Sequence, residues 1–158
     1  MIKRTILLAV VLAILPVISN AQDYRTGIGL RGGVFSGISF KRFISAPNAF
    51  EIVVAMHHRG PYIAGMYQIH ANAFDAPGLN WYYGPGAHIG FYEGRHARPW
   101  FGHPERNYVV IGINGVLGLE YKIEEIPITI AADLIPALNI TDHFGVWVGG
   151  GLTIRYVF

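Results

Sequence analysis

The sequence predicts an all-β chain: eight antiparallel strands closed up-and-down into a transmembrane barrel, preceded by a signal peptide. Three observations predict it. Apolar residues make up 52% of the chain, yet past residue 22 no run of about 18 uncharged apolar residues is long enough for a membrane-spanning helix. Apolar residues recur instead at every second position, as strands with two different faces require. Sorted by parity, the charges fall on one face only.

The first residues, MIKRTILLAVVLAILPVISNA, carry Lys3 and Arg4, an apolar run from Ile6 to Val17, and the small residues Ser19 and Ala21. That order is a secretory signal over residues 1–21, cleaved before Gln22. A membrane anchor is the competing reading, but the apolar run is too short for one. Residues 22–158 then form one domain. With Lys3 and Arg4 removed, ten basic residues balance ten acidic ones, so the mature chain carries no nucleic-acid footprint. It has no cysteine, hence no disulfide and no cysteine for a lipid anchor.

The alternating segments run over residues 24–34, 37–43, 49–58, 61–71, 80–92, 107–123, 126–140 and 144–158. SAPN, HHRG, AFDAPGLN, EGRHARPWFGHPERN, EEIP and TDHF separate them, rich in residues that end strands. The first segment sets Ile28 and Leu30 against Arg31, and the second sets Ile38 and Phe40 against Ser39 and Lys41. In the third, Ile52, Val54 and Met56 oppose Glu51 and His57; in the fourth, Ile63, Tyr67 and Ile69 oppose Gln68 and His70. The fifth opposes Trp81, Tyr83, Ile89 and Phe91 to His88. In the sixth, Val109, Ile111, Ile113, Leu117, Leu119 and Tyr121 face away from Asn114, Glu120 and Lys122. The seventh divides Ile128, Ile130, Leu134 and Leu138 from Thr129, Asp133 and Asn139, and the eighth divides Leu152, Ile154, Tyr156 and Phe158 from Thr153 and Arg155.

A soluble sandwich alternates in the same way, so alternation alone does not choose. Three features favour the membrane. Several segments reach ten residues or more, longer than the usual five or six of globular sheets. The polar face is dominated by glycine and by charges of both signs rather than by abundant Lys, Glu, Ser and Thr. The aromatics Tyr24, Phe50, Trp81, Tyr83, Tyr121, Tyr156 and Phe158 gather at one rim of the apolar face, as interface girdles do. The apolar face therefore looks into lipid and the polar face into a lumen. Gly27, Gly29, Gly84, Gly86, Gly90, Gly112, Gly118, Gly149 and Gly151 are expected to make room there for large inward side chains, because eight strands leave an interior only side-chain wide.

Arg31, Lys41, Glu51, His70, His88, Glu120, Lys122, Asp133 and Arg155 form the expected interior polar network. Lys41 and Glu51 flank the SAPN turn and face each other across strands. Glu120, Lys122 and Arg155 share the periplasmic half, with Arg31 and Asp133 nearer the middle. Mixed signs in a narrow lumen pair mutually, offsetting a desolvation cost of several kcal/mol per ion. They read as a plug, which disfavours an open pore.

With APGLNWYYGPGAHIGFYEG, GINGVLGLEYKIEEIPITIAADLIPALNI and the closing GGGLTIRYVF on the page, the chain resembles small eight-stranded outer-membrane proteins of the OmpA-barrel, OmpX and OmpW type. It is similar to small outer-membrane barrels common in Bacteroidota. The resemblance implies a cell outer-membrane location and no catalytic residue. The alternation Leu152, Ile154, Tyr156, Phe158 resembles the C-terminal signal that such barrels present to the barrel-assembly machinery.

Several motifs admit sharper chemistry. GIGLRG, Gly27 to Gly32, spells a dinucleotide loop, but that loop needs a helix behind it, and another strand follows; spacing for a crowded interior is the favoured reading. The histidine pairs His57 with His58 and His96 with His103 invite a metal, yet adjacent strand residues point to opposite faces. A lipid A-modifying enzyme would need a nucleophile and base together at the rim, and Ser36, Ser39 and Ser45 stand in no evident constellation with a histidine. In the longest connection, Arg95, Arg98, Trp100, Phe101 and Arg106 are placed to meet lipopolysaccharide phosphates and acyl chains. AFDAPGLN is either a rigid turn, which its Pro and Gly favour, or a partner contact. The expectation is a monomeric barrel without cofactor, with a structural or surface-interaction role and outer-membrane lipid around it; a narrow channel for small or hydrophobic solutes is the alternative, and a lipid A enzyme the third.

Overall fold

A computed structural model describes residues 24–57, 60–92, 107–141 and 145–158. Its eight strands are β1 (Thr26–Gly33), β2 (Ser36–Ser45), β3 (Asn48–His57), β4 (Gly60–Asn72), β5 (Leu79–Tyr92), β6 (Tyr108–Ile123), β7 (Ile128–Asn139) and β8 (Gly145–Val157). They close in sequence order into one barrel, each antiparallel to the next, with β1 pairing back onto β8. No described residue is helical. The expected signal segment 1–21 and the connection carrying Arg95, Arg98, Trp100, Phe101 and Arg106 lie outside the described residues, as do His58, His96 and His103.

Register follows the period-two pattern, since a one-residue slip would turn every side chain over. Leu30 stands opposite Ile38 on one side and Ile154 on the other. Lys41 stands opposite Glu51, and Thr129 opposite Arg155. Outward apolar side chains are exposed along every strand, with Leu30 at 73% and Leu134 at 57%.

Both described chain ends and the three short connections between β2 and β3, β4 and β5, and β6 and β7 gather at one mouth, the terminal end. There Thr26 and Phe158 exchange two backbone hydrogen bonds of 2.8 Å that close the ring. The β4–β5 connection is a tight turn held by Asn72, whose side-chain amide donates to the Ala76 and Leu79 carbonyls.

Three sequence expectations are corrected here. Tyr24 does not join an outward girdle: it precedes β1 and bends into the mouth, where its hydroxyl donates to Glu120 at 2.6 Å. Free of a ladder, its side chain is not bound by strand parity. Lys122 does not enter the interior network, because its ammonium donates to the carbonyls of Ile123 (2.7 Å) and Ile126 (3.0 Å) in the β6–β7 turn. It sits too near the strand end to reach past that turn. The glycines divide. At Gly118 an added Cβ would come within 2.5 Å of the Tyr82 ring, so that glycine does clear space for an inward side chain. At Gly29 and Gly84 the obstruction would be a backbone carbonyl of the neighbouring strand, so close strand approach is the reason there.

Candidate functional site

The inward side chains stack in two storeys along the barrel axis. Nearest the terminal end lies an ionic storey whose six charges come from six strands, which the barrel's curvature aims at a common axis. Glu51 on β3 accepts from Ser39 (2.6 Å), from Gln68 (2.5 Å) and from the Arg155 guanidinium. Arg155 on β8 also donates to Ser39 at 2.8 Å and to Glu120 at 2.9 Å. Glu120 on β6 takes a third donor in Lys41 at 3.0 Å, besides Tyr24. Lys41 in turn lies 3.3 Å from His70 Nε2 and 4.2 Å from the centre of the Tyr82 ring.

Cross-strand register therefore misidentifies the partners. Lys41 and Glu51 are opposite in register, yet Lys41 pairs with Glu120 and Glu51 with Arg155. Long side chains in a narrow barrel reach across the lumen rather than sideways, so a residue's partner is set by its height. One step further in, Asp133 on β7 is gripped by both terminal nitrogens of Arg31 and accepts from Tyr82 at 2.8 Å. Arg31 also donates to Thr153 at 3.2 Å.

Six charges are sealed in this storey: Arg31, Lys41 and Arg155 against Glu51, Glu120 and Asp133, none more than 6% exposed. Burial in low dielectric disfavours an uncompensated charge, and here each sign has an equal count of the other. Charge-assisted, partly bidentate bonds of this kind are the strong class. At the mouth, burial and then the Glu120 carboxylate push the Tyr24 phenol well above its ordinary range. It stays a donor.

The second storey, towards the opposite mouth, is aromatic. Phe35 stacks on Tyr62 at 4.1 Å and on His57 at 4.9 Å, and Trp147 packs against Phe35 at 5.0 Å. His88 belongs here and not with the ions. It stacks on Tyr62 at 5.4 Å and lies 3.1 Å from the side-chain Oδ1 of Asn139, which also accepts from Trp147. Sequence reasoning missed Phe35, Tyr62, Tyr82 and Trp147 as interior residues. For Tyr62 and Tyr82 the signal was present, since they share parity with Gln68 and with His88 respectively.

The remaining candidates are placed as follows. Leu152, Ile154, Tyr156 and Phe158 all point outward and are exposed. Gly27 to Gly32 lie within β1, flanked by β2 and β8 and continuing into another strand. Among the described residues no three His, Asp or Glu side chains converge as metal ligands. Ser39 is locked between Glu51 and Arg155, while Ser36 donates to the Gly33 carbonyl. A groove of about 710 Å³ runs beside the β4–β5 turn, bordered by Phe74, Trp81, Leu117, Leu119 and Leu134. Its lining is mostly apolar, with Asp133 of the ionic storey at its border. No family model, no curated protein and no solved structure matches the chain.

Proposed function

We propose that this chain is an integral outer-membrane β-barrel with a structural or surface-interaction role, its lumen plugged by the ionic and aromatic storeys. One observation carries the reading: the barrel is inverted, with six balanced charges sealed inside and exposed apolar side chains on all eight strands. In water such a surface would far exceed the few hundred Å² of contiguous apolar patch that soluble monomers tolerate. In hydrocarbon it is the favourable face, and a closed ladder leaves no backbone group unpaired. The chain would be exported by its signal segment and remain monomeric, and the connection between β5 and β6 would meet lipopolysaccharide.

Two measurements test this. The purified protein is expected to migrate as a compact band unboiled and as a slower band after boiling, because the ladder opens as a unit. Equal mobility under both conditions would count against a membrane barrel. In planar bilayers the plugged lumen is expected to give no stable conductance steps. Regular steps would favour the narrow-channel reading instead.

The outward series Leu152, Ile154, Tyr156 and Phe158 would be what the assembly machinery reads. Phe158→Asp is therefore expected to reduce outer-membrane assembly far more than Val157→Thr, whose side chain is inward. Equal assembly of the two variants would remove the series as a signal.

A further inference from the structure

Against the expectation that the charges fall on one face only, one charged side chain among the described residues faces outward from a strand, Arg42 on β2. Its neighbours in the β2 alternation are Phe40 and Ile44, both exposed. In register it stands between Thr26 on β1 and Phe50 on β3, with Tyr67 on β4 next in the row. Asn48, one outward position nearer the terminal end on β3, adds a second polar group beside it. On the far wall the register row of β6 to β8 carries Tyr121, Ile130 and Ile154 and no charge. None of the ion pairs or hydrogen bonds among the described residues engages the Arg42 guanidinium.

We infer that Arg42, flanked by Thr26 and Asn48, holds the phosphate of one phospholipid in the leaflet at the terminal end. The inference rests on the membrane reading and names a ligand for it. A guanidinium on a lipid-facing wall is costly away from the interface. Arg42 lies about 10 Å along the strand from Ser45, and its long stem lets the head reach the headgroup level. A phosphate there supplies the counter-charge that the protein does not. The planar fork suits two phosphate oxygens at once, while Phe40 and Phe50 offer apolar surface to the acyl chains.

The test titrates the full chain in detergent with phosphatidylglycerol and follows bound lipid by native mass spectrometry. Arg42→Gln is expected to weaken the tightest bound lipid by about tenfold or more, a change of about 1.4 kcal/mol. Arg42→Lys keeps the charge and is expected to stay within about threefold. Ile130→Gln, on the far wall, is expected to change nothing. Binding to Arg42→Gln within about twofold of the unaltered chain, with the compact unboiled band retained, would overturn the inference. Should Arg42→Gln fail to fold, the unaltered chain decides. It must prefer phosphatidylglycerol over a diacylglycerol with the same chains by about tenfold, and equal binding overturns the inference. Failure of the unaltered protein to float with lipid vesicles would instead remove the membrane reading itself.

Discussion

Arg155→Met is expected to lower the unfolding free energy of the barrel by about 3 to 5 kcal/mol, the usual cost of removing one partner from a buried ion pair. Arg155 is the hub of the ionic storey, donating to Glu51, Glu120 and Ser39. Without it Glu120 keeps Lys41 and Tyr24, but Glu51 keeps only the neutral donors Ser39 and Gln68. A fully buried carboxylate would then lack a directly bonded cation. Adding Glu51→Gln to the same chain removes that orphaned charge and is expected to recover at least about half of the loss, because neutralising both partners avoids the penalty that removing one incurs. Denaturant unfolding in lipid vesicles measures both variants. A loss below about 0.5 kcal/mol for Arg155→Met would mean that water solvates the storey and that no plug exists.

Leu134→Arg tests the other half of the inversion. Leu134 faces outward from the middle of β7, between Leu117 and Gly150, and is 57% exposed. On a water-facing surface a change at such a site usually costs within about 0.5 kcal/mol. In a bilayer an arginine at mid-depth costs about 2 to 4 kcal/mol, falling to about 0 to 1 near the interface. Ile126→Arg, in the β6–β7 turn, is the shallow control. The expected result is a large loss at Leu134 and a small one at Ile126 when both are unfolded from vesicles. Equal small losses at the two depths would mean that the apolar face does not meet lipid.

The barrel was legible because strand parity is a local property. Ile28 and Leu30, or Leu152 and Ile154, declare their shared face without reference to any other strand. The turns were legible within two or three residues for a similar reason: Pro47, Pro127 and Gly78 constrain the backbone where they stand. Parity even carried information that went unread, since Tyr62, Met66 and Tyr82 fall on the inward side of their strands by simple counting. Tyr24 and Lys122 were harder, because each lies where the ladder ends and its side chain is set by a tertiary neighbour.

The ionic storey shows where local reasoning stops. Its members were nameable from sequence as charges on the inward face, but Lys41 with Glu51 was the natural cross-strand pair, and the closed barrel joins Lys41 to Glu120 and Glu51 to Arg155. The sequence by itself determines which residues are strands and which side each residue takes, because period two and the polarity of each side chain are read along one strand. Only the tertiary structure decides who meets whom: closure and strand stagger set the height at which each inward side chain arrives, and eight strands are narrow enough that residues of equal height from opposite walls touch.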